Sequence, residues 1–263
     1  MDQITVERDI GVEMRDGTTL ATDIYRPQGA KNCPTLVHRN PYNKSNAGSV
    51  GGLIVNPLDA AREGFAVVVQ DTRGRFESEG EWLPFVNEAE DGYDTVEWAA
   101  DQPWSNGRVG IYGASYHGVT ALQAVTADPP HLEAALAYLT GANYHDGWVY
   151  SDGAFELGFN LWSTLYLATD TVPRLDLPEA DRDAQLDRLL ELTTDPESVA
   201  AERPLAEGSL FSHLATTYVQ EWFDHPTYDE YWADIDVLEG IEDVETPVLH
   251  ASGWYDLFLR SHL

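Results

Sequence analysis

A serine flanked by glycines is the first feature of the sequence that could carry out chemistry. Residues 113–118 read Gly-Ala-Ser-Tyr-His-Gly and follow a short apolar run that ends at Tyr112. A strand, a glycine-flanked serine and a helix together form a nucleophile elbow, a tight turn that exposes the serine Oγ. An ordinary glycine turn is the alternative for the motif taken alone. With its flanking elements, the motif predicts that Ser115 is a nucleophile.

Such a nucleophile needs donors that stabilise the oxyanion formed during the reaction. The N–H of Tyr116 would lie at the N-terminus of a helix and face that oxyanion. A second donor commonly comes from the loop after an earlier strand, and residues 39–42, Arg-Asn-Pro-Tyr, occupy that loop. Pro41 has no N–H, whereas the Tyr42 hydroxyl can donate. From the residues alone, Tyr42 is either a side-chain donor or a packing tyrosine.

The acid of a catalytic triad is expected after the nucleophile and before the histidine in the sequence. Asp256 follows the apolar run at 246–252, where such an acid belongs. Trp254 and Tyr255 are expected to shield the contact between this acid and a histidine from water. An N-cap of the following helix is the alternative role for Asp256.

The general base is not where the pattern requires it. A histidine placed by one further parallel strand needs a crossover of a dozen or more residues, and only residues 257–263 follow Asp256. His262 is too near the acid in sequence, and His117 is expected to point along its helix. The other histidines precede the acid and are His38, His131, His145, His213, His225 and His250. The triad histidine is therefore absent from its expected position.

The elements that position these residues follow an alternating pattern. Residues 5–26 alternate around Asp16-Gly17, which predicts a hairpin. The run at 132–139 fits a strand or a short helix, and the βαβα order favours the strand. Apolar runs that predict buried strands alternate with helical patterns, at 33–38, 57–63, 65–71, 88–100, 108–112 and 116–127. This order predicts an α/β fold with a mostly parallel sheet.

The domain organisation is expected to change near residue 143. The sequence becomes rich in Trp, Tyr and acidic residues, with helical patterns near 155–169 and 179–192. We expect a helical cap at 143–240, inserted between a first core segment at 1–142 and a resumed core segment at 241–263.

The composition excludes several functional classes. With 15 Lys+Arg against 45 Asp+Glu, the net charge is −30, so nucleic acid and anionic membranes are poor partners. No apolar run reaches the roughly 20 residues of a membrane helix, and the N-terminus lacks a secretory signal. A cytoplasmic location is expected. The single cysteine, Cys33, is expected to be a buried structural thiol, and no metal or cofactor is needed.

The dispersed negative charge predicts a halophilic protein. Repulsion among these charges destabilises the folded state, and at molar salt the Debye length falls to about 3 Å. The melting temperature is therefore expected to rise between about 0.1 and about 3 M KCl. An unchanged melting temperature would instead identify an ordinary acidic protein.

Several separate stretches resemble the CocE/NonD family of α/β hydrolases, most closely its cocaine esterase branch. This family also includes α-amino-acid ester hydrolases and X-prolyl dipeptidyl peptidases. The resemblance covers nearly the whole chain. Its motifs are PTLVHRNPYNK (34–44), VVVQDTRGRFESEGEWLP (67–84), EAEDGYDTVEW with QPWSNGRVGIYGASYHGVT (88–120), WFDHPTYDEYW (222–232) and TPVLHASGWYD (246–256).

The resemblance implies a serine hydrolase with an α/β-hydrolase core and an inserted helical cap. It implies that Ser115 is the nucleophile, Asp256 the acid, and Tyr42 the side-chain oxyanion donor beside the Tyr116 backbone. The implied substrates are small esters or amides, or short X-prolyl peptides, cleaved through an acyl-serine without a cofactor. An aromatic acyl pocket is also implied at Trp148, Trp162 and Phe258, with cap or core packing as the alternative for the two tryptophans.

The chain departs from this family after the acid. Family members continue through further strands, a histidine loop and a C-terminal jelly-roll domain, so the core is expected to be incomplete at its C-terminal edge and the chain truncated. An unpaired sheet edge favours aggregation or pairing with another chain, including a homo-oligomer. Three functions stay open: a serine hydrolase, a catalytically inactive remnant, and a binding module that uses the aromatic cap.

Overall fold

The computed structural model describes residues 3–46, 54–195, 201 and 217–262. The chain divides into two units. The first combines Met1–Asn143 with Ile235–Leu263, and the second is Tyr144–Asp234. The helical cap is expected at 143–240, and that the second unit is this cap stays a prediction.

The first unit is built on a sheet of seven strands in the described residues. The strands of the described residues are β1 Ile4–Glu13, β2 Thr19–Pro27, β3 Cys33–Asn40, β4 Ala66–Asp71, β5 Ser105–Ala114, β6 Leu132–Tyr138, β7 Tyr150–Ser151, β8 Ala154–Phe155 and β9 Val248–Ala251. The order in the sheet is β1-β2-β4-β3-β5-β6-β9. The pairs β1–β2 and β2–β4 are antiparallel, and all other neighbours in this sheet are parallel.

Helices follow the central strands, as the alternating pattern predicts. The helix at Pro57–Arg62 begins at Pro57 because the Asn56 side chain accepts hydrogen bonds from the N–H groups of Leu58 and Asp59, and proline suits the first helical position. The helices of the described residues are α1 Pro57–Arg62, α2 Glu88–Ala100, α3 Tyr116–Thr126, α4 Leu157–Arg174, α5 Glu179–Thr194, α6 Thr217–Asp224, α7 Glu230–Ala233 and α8 Leu259–His262.

The central strands are covered on both faces. All residues of β4 are buried, with Val67, Val68 and Val69 fully inaccessible. A strand with apolar residues at successive positions needs a layer on each side, and helices supply it. Helices α2 and α3 approach so closely that a Cβ at Gly92 would lie 2.6 Å from the Ala124 Cβ. The predicted α/β fold with a mostly parallel sheet is confirmed, and residues 132–138 form a strand.

The second unit contains the hairpin β7–β8 and helices α4 to α7. Aromatic side chains dominate its interior: the Tyr150 hydroxyl donates to the Trp222 carbonyl at 2.7 Å, and Trp232 Nε1 donates to the His225 carbonyl at 2.8 Å. Helix α4 extends the pattern expected at 155–169 to Arg174. No helix among the described residues is long and apolar enough to cross a membrane.

Candidate active site

Ser115 occupies a tight turn between β5 and α3. Its backbone has φ 57° and ψ −131°, a region that costs a non-glycine residue on the order of 1–3 kcal/mol and that clusters at functional sites. A Cβ at Gly113 would lie 2.1 Å from the His117 carbonyl oxygen, and one at Gly118 would lie 2.7 Å from the Thr140 Cβ. Both glycines are therefore required, and the strand, turn and helix expected around the serine are present.

The elbow and the segment that leads to Asp256 lie at the same edge of the sheet. Ala114 is in register with Tyr138 on β6, and Tyr138 is in register with Ala251 on β9. The Ser115 N–H donates to the Leu139 carbonyl at 3.1 Å, and the Leu139 N–H donates to the Ala251 carbonyl at 2.9 Å. Because parallel strands end at a common edge, the residues after β5 and β9 are brought to the same side of the sheet.

Asp256 is held by local donors. One carboxylate oxygen accepts from Ser252 Oγ at 2.6 Å, and the other accepts from the Phe258 N–H at 3.2 Å. The second contact resembles helix capping, the alternative role for this aspartate. In the described residues, no histidine is hydrogen-bonded to this carboxylate. The predicted shielding by aromatic neighbours is wrong, since Trp254 is 89% exposed and Tyr255 101% exposed.

His262 lies on α8 and faces the chain after β6. Its Nδ1 donates to the Thr140 carbonyl at 2.8 Å, and its Nε2 is buried without a hydrogen-bond partner in the described part of the chain. The His250 ring lies 5.2 Å away, and burial together with His262 lowers the pKa of His250. His213 lies outside the described residues. That the triad histidine is absent from its expected position stays a prediction.

The loop that carries Tyr42 is fixed by hydrogen bonds along its length. The Tyr42 N–H donates to Asn40 Oδ1 at 2.8 Å, and Arg75 Nε donates to the Pro41 carbonyl at 2.9 Å. The Lys44 N–H donates to Asp71 Oδ1 at 2.6 Å. Strand β3, which precedes this loop, is a direct neighbour of β5. The loop therefore starts at the sheet edge where the serine turn lies, while the donor role of Tyr42 stays a prediction.

Tyr116 is anchored through its side chain, a feature that the motif alone does not reveal. Its hydroxyl accepts from the Phe85 N–H at 2.7 Å and donates to Glu88 Oε1 at 3.1 Å. Burial raises the pKa of Glu88, and Arg39, whose Nη1 lies 2.7 Å from Glu88 Oε2, opposes that rise. The sequence analysis did not predict this contact between Arg39 and Glu88. Arg39 lies in the same motif as Tyr42, and Glu88 is the first residue of the helical pattern at 88–100. Their contacts hold the residue whose N–H begins α3.

His117 does not point along its helix, so that prediction is wrong. It is only 6% exposed, its Nδ1 lies 2.9 Å from the Ala114 carbonyl oxygen and its Nε2 lies 3.0 Å from Asn40 Oδ1. Its ring stacks on His38 with centroids 4.4 Å apart. Burial lowers the pKa of His117 to about 4, so the ring is neutral at pH 7. The side chain turns inward because buried polar partners are available there.

The predicted aromatic pocket residues differ in exposure. Phe258, in the first unit, is 5% exposed. In the second unit, Trp148 is buried against Phe159, whereas Trp162 is 63% exposed and stacks on Tyr166 at 5.7 Å. Their role in an acyl pocket stays a prediction. Among the described residues, no group of three or more His, Cys, Asp or Glu side chains is arranged to hold a metal ion.

Comparison with known proteins identifies relatives along almost the whole chain. Cocaine esterase of Rhodococcus sp. (strain MB1 Bresler) is 37% identical over 261 residues, which are 98% of this chain and 45% of the relative. The structure of a CocE/NonD family hydrolase from Staphylococcus aureus superposes with a TM-score of 0.69 at 21% identity, covering 98% of this chain and 48% of that one.

An aminopeptidase from the marine sediment archaeon Thaumarchaeota archaeon has the same fold, with a TM-score of 0.67 at 22% identity over 95% of this chain and 43% of that one. The chain thus spans less than half the length of each of these three proteins. The family model described as X-Pro dipeptidyl-peptidase (S15 family) matches residues 16–263. Because that match includes both the serine turn and Asp256, the chain belongs to the X-Pro dipeptidyl-peptidase (S15) family.

Proposed function

We propose that this chain carries the nucleophile, acid and oxyanion-hole portion of a serine hydrolase site that cleaves esters or amides. The observation that carries the proposal is the backbone of Ser115, held at φ 57° and ψ −131° between a strand and a helix. Strain of this kind persists only where the surrounding structure enforces it. In a nucleophile elbow, the strained turn exposes the serine Oγ to the substrate.

The proposed reaction begins with attack of Ser115 Oγ on the carbonyl carbon of the substrate. A histidine takes the hydroxyl proton as general base, and Asp256 orients that histidine. The Tyr116 N–H and the Tyr42 hydroxyl stabilise the oxyanion of the tetrahedral intermediate. The intermediate collapses, the histidine protonates the departing alcohol or amine, and an acyl-serine remains. Water, activated by the same histidine, then hydrolyses the acyl-serine and releases the acid.

The names of the family and of one relative support the proposed substrate class. The family is described as X-Pro dipeptidyl-peptidase, and the relative from Rhodococcus is a cocaine esterase. Ester and amide cleavage share the acyl-serine route and differ in the group that leaves. We propose a small ester, an amide or a short peptide as substrate for the whole protein.

A second candidate function is an inactive or strongly impaired chain. It is favoured by the surroundings of Asp256, whose carboxylate accepts from Ser252 and Phe258 and, in the described residues, from no histidine. A site without its histidine still retains weak catalysis from the oxyanion hole and from binding. Slow ester cleavage alone would therefore not distinguish the two candidates.

The test is the turnover of an activated nitrophenyl ester by this 263-residue chain in about 3 M KCl, where charge repulsion is screened. If a histidine reaches Ser115, either His262 or one from a second copy of the chain, turnover should be steady and should fall by about 10⁴-fold or more in Ser115→Ala, as the loss of a serine nucleophile does elsewhere. Ser45→Ala is the matched control, because Ser45 is exposed, and it should retain the rate of the unmodified chain.

Equal rates near background for the chain and for Ser115→Ala would contradict the serine hydrolase proposal for this chain. That result would favour the second candidate, in which the turn is formed but no base reaches Ser115.

A further inference from the structure

The contacts of His117 connect the serine turn to the loop that carries Tyr42. His117 lies on α3, two positions after Ser115, and its Nε2 is 3.0 Å from Asn40 Oδ1. The same oxygen accepts the Tyr42 N–H at 2.8 Å. The rings of Tyr42 and His117 also meet edge to face, with centroids 5.1 Å apart. Tyr42 is thus held at its backbone through Asn40 and at its ring through His117.

We propose that His117 and Asn40 are positioning residues that fix Tyr42 beside Ser115, so that its hydroxyl is directed at the oxyanion. The proposal rests on the proposed function, because it assigns Tyr42 the role of a donor. Neither residue touches the reacting atoms in this scheme. Both act through Tyr42.

Asn40 Oδ1 contacts both the Tyr42 N–H and His117 Nε2. An amide oxygen has two lone pairs and can accept from the Tyr42 N–H and from a second donor. Asn40 is fully buried, so its amide cannot exchange these partners for bulk water without cost. The end of β3 and the start of α3 are therefore linked through one side chain, and a change in either element is transmitted to Tyr42.

His117 supplies a constraint that an apolar residue could not. Its ring is packed between the stacked His38 ring, at 4.4 Å, and the edge of Tyr42. A neutral imidazole has one N–H, and the proposal requires that Nε2 carry it, so that the ring donates to Asn40 Oδ1. Glutamine offers an amide N–H near the position of Nε2 and can keep the contact with Asn40. Leucine fills a comparable volume and removes it.

The first readout is hydrogen exchange at the Tyr42 amide, which does not depend on turnover. We expect His117→Leu to speed exchange of this amide by about tenfold, consistent with loss of one net hydrogen bond, and His117→Gln to leave it within about twofold. The Val68 amide, in the buried strand β4, reports global unfolding and should not change. His131→Leu, on a histidine that contacts Glu97 at the surface, is the matched control.

The second readout is a double-mutant cycle with Tyr42→Phe in nitrophenyl ester turnover. His117→Leu should reduce turnover by about tenfold in the unmodified chain and by less than about twofold when Tyr42 has already lost its hydroxyl. His117→Gln should restore most of the rate. A purely structural role would give additive effects and would affect the Val68 amide as well.

These outcomes separate the two proposals. If the chain shows no turnover that depends on Ser115, the proposed function fails, while exchange at the Tyr42 amide still decides whether His117 holds the loop. Unchanged exchange in His117→Leu, or additive effects in the cycle, would overturn the positioning role.

Discussion

A Gly113→Ala variant is expected to lose at least about 3 kcal/mol of unfolding free energy, the upper end of ordinary overpacking effects. The added Cβ would lie 2.1 Å from the carbonyl oxygen of His117 and 2.2 Å from its carbonyl carbon. Both atoms are backbone in the first turn of α3, so no side chain can rotate out of the way. Either the helix start moves or β5 does, and each movement also displaces Ser115.

The measurement is chemical denaturation at high salt, with the midpoint compared between variants. Gly158→Ala is the matched control, because a Cβ at Gly158 meets no atom within 4 Å and the residue lies in helix α4. Alanine there should be neutral or should stabilise by up to about 1 kcal/mol. Equal midpoints for Gly113→Ala and the unmodified chain would contradict the close approach that defines the serine turn.

The serine turn could be predicted from sequence because its determinants are local. Gly113, Ser115 and Gly118 lie within six consecutive residues, and the strand and helix beside them are continuous with the motif. The fold could be predicted for a similar reason, because apolar runs and helical spacing mark each strand and helix. The alternating order of strands and helices then favours a strand over a short helix at 132–138. Propensity and periodicity act over short distances along the chain.

The orientation of side chains in the site could not be predicted in this way. His117 turns inward because Asn40, 77 positions earlier, offers a buried partner. Glu88 meets Arg39 and Tyr116 only when α2 packs on β3 and α3. These contacts depend on the tertiary arrangement, which no local pattern specifies. The wrong prediction for Trp254 has the same origin, since its exposure depends on what packs against the end of the sheet.

The buried amine of Lys44 leads to the second large effect. Its side chain is fully buried and its Nζ lies 2.5 Å from Asp9 Oδ1, 3.7 Å from Asp23 Oδ1 and 3.6 Å from Asp71 Oδ2. Asp23 and Asp71 are also fully buried. The two buried carboxylates thus share the Lys44 ammonium, and Asp23 also has Arg8 Nη1 at 3.4 Å from its Oδ2. The same residue donates its N–H to Asp71 Oδ1, and it lies two positions after Tyr42.

Lys44→Met should therefore destabilise the protein by about 3–5 kcal/mol, the usual effect of removing one partner from a buried ion pair. Lys31→Met is the matched control. Lys31 is exposed and is the other of the only two lysines, so its loss changes the net charge equally and should alter the unfolding free energy by less than about 0.5 kcal/mol. Denaturation of both variants in the same high-salt buffer gives the comparison.

The loss of unfolding free energy in Lys44→Met should also depend on pH, because Asp71 titrates in the folded protein. Burial raises the pKa of Asp71 to about 6, while contacts with Lys44 oppose that rise; in the unfolded chain the pKa is near 3.9. Between these values the folded protein binds more protons than the unfolded chain, so the unfolding free energy decreases as pH rises through about 6. Without Lys44 the pKa of Asp71 rises further, so the decrease continues to higher pH and becomes larger in total.

The double variant Lys44→Met with Asp71→Asn isolates this contribution, because asparagine does not titrate. It should recover part of the stability lost in Lys44→Met at pH 8 and little of it at pH 5, where Asp71 is already protonated in the folded protein. Equal recovery at both pH values would show that Lys44 acts by filling space and not by compensating charge. In that case the Tyr42 loop would be fixed by the backbone contact of Lys44 with Asp71 and by packing, since neither needs the ammonium group.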